Sequence, residues 1–263
     1  MTIYALRLEC LAGRNLVLAP GTAANLLRGQ LGKLLFEENP VAYARYFKPV
    51  QSADEGPSGF RDLPRPFVLR VAHLDGAKLS EGDRFAIGLN LFDLTAIPLF
   101  RALLEQAAGR LFEAVKVDRD LSELVTLSLT PQSFEVKRVR VEFYTPTELK
   151  GSERPAFGPL FERIRDRISL LRAHYGDGPL EIDFREMGER ARKIRMTRCE
   201  IEMKTTTRRS RATGQTHPLN GFTGVAEYEG DLSEFLPYLE AGHWTGVGRQ
   251  TVWGKGAIRC ETL

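Results

Sequence analysis

Glycines at 242, 246, 248, 254 and 256 are interleaved with Arg249, Trp253 and Lys255 in the stretch GHWTGVGRQTVWGKG. Glycine lets main-chain N–H groups come close to a ligand and adopt the left-handed turns that bind anions, while the cations add charge beside them. The chemistry such a loop suits is the grip of a phosphate. In a mononucleotide-binding P-loop the glycines precede a helix and end in Gly-Lys-Ser/Thr, whereas here they run from a predicted helix into a predicted strand, so that reading fails. Just upstream, Arg185, Arg190, Arg192, Lys193, Arg195, Arg198, Lys204, Arg208, Arg209 and Arg211 stand against Glu186, Glu189, Glu200 and Glu202. A basic tract next to a glycine loop points to a nucleic-acid backbone rather than a mononucleotide. For Arg190 to Arg195 a solvated strand pair accounts for the charges equally well. The run TTTRRSRATGQTH has no apolar anchor and reads as an RNA-contacting hairpin. The expected backbone contacts are Gly246, Gly248, Arg249, Gly254, Lys255 and Gly256 in the loop, and Lys204, Arg208, Arg209 and Arg211 in the tract.

Proton transfer needs a group that titrates near neutrality, and the chain has four histidines. His73 falls in a predicted strand, and His174 at a helix end where the helix dipole explains it. His217 and His243 adjoin the basic tract and the glycine loop, where an imidazole could serve phosphodiester cleavage; a structural role explains either one as well. Tyr43 and Tyr46, with Arg45 and Lys48, follow the first predicted helix, whose outward face carries Arg28 and Lys33. The two tyrosines could stack on bases or shuttle protons, Tyr46 being the candidate proton carrier; the cations are candidate RNA contacts, and core packing is the competing account of the tyrosines. Neither a carboxylate pair nor a nucleophile elbow stands out. Cys10, Cys199 and Cys260 have no metal-ligand spacing and no disulfide pattern, so no metal or other cofactor is expected.

The elements that must position these groups follow from periodicity. Ile3 to Cys10 alternates as a half-buried strand; Leu26, Leu27, Leu31, Leu34 and Leu35 recur at helical spacing behind a Thr22 cap. Phe67 to Ala72 and Asp83 to Phe92 read as strands, Thr95 to Ala108 as a helix with Pro98 in its first turn, and Arg110 to Val117 as a closing strand. Ser52 to Arg65 reads as a loop. The second half repeats the order: strand Val139 to Tyr144, helix Phe157 to His174 with Arg163, Arg165, Arg167 and Arg172 opposite its apolar face, strands Ile194 to Thr207 and Gly221 to Tyr228. Helix Leu232 to Leu239, capped by Asp231, and strand Trp253 to Thr262 complete it. The expectation is an α+β protein of two tandem ferredoxin-like (RRM-like) domains, residues 1–120 and 121–263, each an antiparallel sheet with helices on one face.

At 263 residues, 43% hydrophobic and 27% charged, with net charge +3, the composition is globular and the whole is no polycation. Any nucleic-acid reading therefore rests on where the charges fall. The first residues look like a strand rather than a signal peptide, and there is no apolar run of about 18 residues, so a cytoplasmic protein without a membrane span is expected.

GVGRQTVWGKG at the C-terminal end carries the strongest resemblance; with LLRGQLGKLL, PRPFVLR, FAIGLNLF, VEFYTPTELKG and GFTGVAEYEGDLSEFLPYLEAG, which precede it in this order along the chain, it resembles segments of the CRISPR repeat-processing endoribonucleases of the RAMP superfamily. The resemblance implies tandem ferredoxin-like domains that bind repeat RNA and cleave precursor crRNA without metal. The ribose 2′-hydroxyl attacks the adjacent phosphate, leaving a 2′,3′-cyclic phosphate and a 5′-hydroxyl. It also implies other CRISPR effector subunits as partners. Such enzymes often use a histidine near the first helix, and Gly21 to Lys48 contains none. Either other residues serve, or the chain is a non-catalytic RNA-binding subunit; a ferredoxin-like protein scaffold is the alternative outside RNA chemistry.

Overall fold

A computed structural model of the chain describes residues 1–49, 63–112, 116–131, 133–205, 207–209, 216–218 and 220–263. Contacts divide it into two units, Thr2–Thr126 and Leu127–Leu263, the latter together with Met1. Most of the loop expected over Ser52 to Arg65 lies outside the described residues.

The N-terminal unit runs β1 (Thr2–Leu11), β2 (Leu16–Val17), α1 (Ala23–Glu38), α2 (Pro40–Phe47), β3 (Phe67–Leu69), β4 (Lys78–Leu79), β5 (Arg84–Leu91), α3 (Ile97–Phe112), β6 (Lys116–Asp120) and β7 (Glu123–Thr126). Its antiparallel sheet has the order β3-β5-β1-β6, with β7 also on β1; β2 and β4 form a separate ribbon. This is the ferredoxin-like strand order, in which the two crossing helices share one face. α1 and α3 pack together, burying Leu27, Leu31, Leu34, Phe100, Leu103 and Leu104. Thr22 precedes α1 but does not cap it with its side chain; its hydroxyl donates to the Ala19 carbonyl at 2.6 Å, and the Ala23 N–H goes to Asp75 Oδ1 at 2.9 Å. α2 was not expected from periodicity. It is short, begins with Pro40 in its first turn, and is capped by Asn39, which accepts from the Ala42 N–H. The expected strand from Arg110 starts later because buried Phe112, edge-on to Phe85 at 5.1 Å, keeps the last turn of α3 helical.

The C-terminal unit runs β8 (Arg138–Thr147), α4 (Phe157–Tyr175), α5 (Phe184–Ala191), β9 (Arg195–Lys204), β10 (Thr207–Arg209), β11 (Thr216–Pro218), β12 (Gly221–Glu229), α6 (Leu236–Thr245) and β13 (Ile258–Thr262). The order β13-β8-β12-β9 repeats the ferredoxin-like pattern, again antiparallel. Val139, Val141 and Phe143 alternate inward from β8 onto Phe157, Phe161, Ile164, Phe235 and Leu239. Two boundaries differ from expectation for backbone reasons. α6 begins at Leu236, not Leu232, because Pro237 lacks an N–H and fits only the first turn, while the Leu232 N–H bonds the Val136 carbonyl at 2.9 Å. β13 begins at Ile258, not Trp253, because Gly254 and Gly256 sit at φ +71° and +69°, which no strand continues through. Among the described residues no helix is long and apolar enough to cross a membrane.

Candidate nucleic-acid interface

α6 ends at Gly246, and Arg167 from α4 donates its Nε–H to the Thr245 carbonyl at 2.7 Å, satisfying one of the acceptors a helix terminus leaves open. The chain then folds back on itself. The Val247 N–H bonds the Gly256 carbonyl at 2.8 Å, the Gly256 N–H bonds Pro146 at 3.0 Å, and the Arg249 N–H bonds Glu148 at 3.1 Å. A 3₁₀ turn, Thr251–Trp253, fills the tip, entered through Gln250 in the left-handed conformation at φ +64°. The shape is imposed by backbone crowding: a Cβ on Gly248 would lie 2.3 Å from the Glu148 carbonyl oxygen, and one on Gly256 1.9 Å from that of Val247. Both have positive φ, so only glycine meets the conformational and the steric demand together.

The stretch 146–148, which anchors the loop through Pro146 and Glu148, also meets the base of the basic ribbon through Pro146 and Thr147. Phe222 of β12 pairs with Thr147, and Gly221, paired with Lys204 across β9, would place a Cβ 2.7 Å from the Thr147 nitrogen. From that base β10 and β11 continue as a two-stranded ribbon in which Arg208 stands opposite His217 and Arg209 opposite Thr216. Arg211 lies outside the described residues. The glycine loop and the root of the basic ribbon therefore meet at one end of the C-terminal sheet.

The charges there are not all open. Arg249 remains 63% exposed while its guanidinium donates to Glu148 Oε1 at 2.9 Å, and Lys204 pairs with Glu202 at 2.6 Å. Lys255 is only 7% exposed and has little surface for the phosphate contact expected of it. Farther up the tract the cations are taken up in ion pairs, but on helix α5, its end and the first residue of β9 rather than on the strand pair expected there. Arg185 pairs with Glu189, Arg190 with Glu234 through two bonds of 2.6 and 2.8 Å, Arg192 with Glu162, and Arg195 with Glu229. On the outer face of the sheet Glu227 receives Arg138, Arg140 and Arg198 at 3.6, 2.9 and 3.2 Å. The hydrogen bond from Arg140, opposed by burial and helped by Arg198, holds its carboxyl below the usual range. Arg165, expected outward on α4, is buried instead: it donates to the Phe184 carbonyl at 2.6 Å and to Asp166, fastening α5 to α4.

His243 projects from α6 to β13, where Nδ1 lies 3.0 Å from the Ile258 carbonyl oxygen. A carbonyl only accepts, so Nδ1 carries the proton and, in the neutral ring, Nε2 is the basic nitrogen. The side chain is half-buried and edge-on to Trp244 at 5.1 Å. His73 is bonded through Nε2 to the Ala86 carbonyl, with burial lowering its pKa.

The remaining candidates belong to the N-terminal unit. Tyr46 is 7% exposed and edge-on to Phe100 at 5.6 Å, a core ring with Arg45 above it at 5.1 Å, so packing accounts for it rather than proton transfer. Arg45 pairs with Asp93 at 3.2 Å, Lys33 with Glu37 at 3.8 Å; Arg28 lies over the Phe47 ring at 5.2 Å and Lys48 over Tyr43 at 5.6 Å. Sequence reasoning missed Glu148 and Arg167. Nothing in spacing marks a partner 101 residues before Arg249, and only the fold of β8 against the loop reveals it.

Residues 141–258 match the family described as CRISPR-associated endoribonuclease Cas6. That span opens within β8 and closes at the first residue of β13, and so contains the loop, the ribbon and both of their anchors. Among solved structures, a Cas6 product complex is 20% identical, with 100% of each chain covered and a TM-score of 0.60. A Cas6 substrate mimic complex is 19% identical over 99% of this chain and 100% of that one, with a TM-score of 0.57. Thermus thermophilus Cas6 is 17% identical over 99% and 98%, with a TM-score of 0.60. At these identities the likeness is one of fold, and it extends over both units. No curated protein sequence matches significantly.

Proposed function

We propose that this chain is a Cas6-type endoribonuclease that binds the repeat of a CRISPR precursor RNA and cuts it without a metal. The observation that carries the reading is the coincidence of the Cas6 family match over residues 141–258 with a backbone-constrained glycine loop rooted beside a basic ribbon. The loop and Arg249 hold the RNA backbone on one side; Arg208 and Arg209 hold it from the ribbon, with Lys204 at its base, and Arg211 is a further candidate contact. In the cut, the 2′-oxygen forms a bond to phosphorus as the 5′-oxygen leaves. A base takes the 2′-hydroxyl proton and an acid returns one to the 5′-oxygen. His243, its Nδ1 proton fixed by Ile258, is the candidate base through Nε2, and His217 on the ribbon the candidate acid. Fixing the attacking and leaving oxygens in line supplies much of the rate without further catalytic groups.

Incubation with repeat RNA in EDTA should yield a 2′,3′-cyclic phosphate and a 5′-hydroxyl, and RNA with a single 2′-deoxy nucleotide at the cut should stay whole. Cleavage of the deoxy substrate, or dependence on added metal, refutes the mechanism. One observation favours a second reading, an RNA-binding subunit that does not cut: the segment Gly21 to Lys48 has no histidine, and Tyr46 within it is packed into the core. Tight repeat binding without product selects that reading.

A further inference from the structure

The N-terminal unit carries a series of rings that leads from its core to its surface. Phe67, fully buried on β3, lies 5.2 Å from Phe47; Phe47 stacks on Tyr43 at 5.5 Å with 15° between planes; Tyr43 meets Phe36 at 5.3 Å, edge-on at 77°. Phe36, near the end of α1, is 57% exposed. Gly32 makes the close approach of α2 possible, since a Cβ there would already touch Phe47 at 3.2 Å and Tyr43 at 3.6 Å. The stack is thus clamped between two helices and has little freedom to collapse inward.

Cations accompany the rings. Arg28 lies over Phe47, the Lys48 ammonium lies 5.6 Å from the Tyr43 centroid, and Lys33 stands one turn before Phe36 on α1. Two carboxylates follow Phe36 on α1: Glu37 is held by Lys33 at 3.8 Å and Arg110 at 3.4 Å, and Glu38 is exposed. A single exposed aromatic is ordinary. A rigid, core-anchored stack that ends in an open ring among cations has the chemistry of a single-stranded nucleic-acid platform: a π-face for a base, and charge for the phosphates on either side.

We propose that Phe36, backed by Tyr43, stacks one unpaired nucleotide of the bound RNA, with Lys33 and Lys48 facing its phosphates. The proposal rests on the RNA-binding reading above. An apolar protein partner is the less fitting occupant because Lys33, one turn before Phe36 on α1, and Glu37 and Glu38, which follow it directly, are charged.

Repeat RNAs carrying a single 2-aminopurine at each unpaired position in turn, bound to the full chain, test this directly. The wild type should quench one position. Phe36→Ala should abolish that quench and weaken binding about tenfold, Phe36→Trp should restore both, and the melting temperature of each should stay near that of the wild type. Unchanged affinity and quenching in Phe36→Ala, with the wild type still binding and cutting RNA, overturns the platform and leaves the nuclease reading standing. Loss of self-association or of protein partners in Phe36→Ala, with RNA binding intact, likewise overturns it. Failure of the wild type to bind any repeat RNA removes both.

Discussion

Replacing Gly256 with alanine sets a methyl group 1.9 Å from the Val247 carbonyl oxygen, at a backbone φ of +69°. The left-handed conformation alone costs a side chain roughly 1–2 kcal/mol. Relief of the clash requires the two arms of the loop to separate. That breaks the Val247 to Gly256 bond of 2.8 Å and strains the Gly256 to Pro146 bond of 3.0 Å, each worth about 1 kcal/mol. The sum is about 3–4 kcal/mol, which in a domain of this size lowers the melting temperature by roughly 10–15 °C. Gly29→Ala is the opposite control: it lies inside α1, nothing stands within 4 Å of its added Cβ, and helix propensity alone should stabilise by about 0.5–1 kcal/mol. Thermal and urea denaturation of both variants, alongside repeat-RNA binding, reads the difference. If Gly256→Ala unfolds within about 0.5 kcal/mol of the wild type and binds RNA normally, the claim that backbone crowding sets the shape of this loop is wrong.

Arg249→Ala should leave stability within about 1 kcal/mol, because its pair with Glu148 is exposed, yet should reduce the slope of log affinity against log salt by about 1. Glu227→Gln removes the carboxylate shared by Arg138, Arg140 and Arg198 and should raise affinity for unrelated RNA and steepen its salt dependence, as filter binding would show. Because the folded state depresses the pKa of Glu227, its stabilising effect is present above the ordinary carboxylate range and is lost as pH falls through the lower folded value. Acid unfolding of Glu227→Gln should therefore be flatter below about pH 4, as circular dichroism would report. Burial pushes the Cys10 thiol up to about 11 and Cys260 to about 12, so at pH 8 a thiol reagent should modify half-buried Cys199 first, half-buried Cys260 more slowly and buried Cys10 only on unfolding, read by peptide mass.

The alternation in Ile3 to Cys10 and Val139 to Tyr144 and the helical spacing of Leu27, Leu31 and Leu34 were legible because each reflects one buried face of one element. The short helices Pro40–Phe47 and Phe184–Ala191 were not, since two turns are too few for a period to show and caps at Asn39 and Asp183 do the work of starting them. In the basic tract, residue type alone distinguished nothing: only the fold brings Glu234 to Arg190 and Glu227 to Arg198, as it brings Glu148 to Arg249 in the loop.

Local sequence alone determined the order of the main strands and long helices of both halves, the glycine loop and the excess of cations before it, because these depend on neighbours within a few residues. The tertiary structure decided which of those charges remain outward and which are consumed, that Lys255 and Tyr46 are buried, and that the loop and the ribbon share one root in the stretch 146–148. Pairing across about a hundred residues of chain leaves no local trace, since a carboxylate carries no mark of the distant strand that will carry it to its partner.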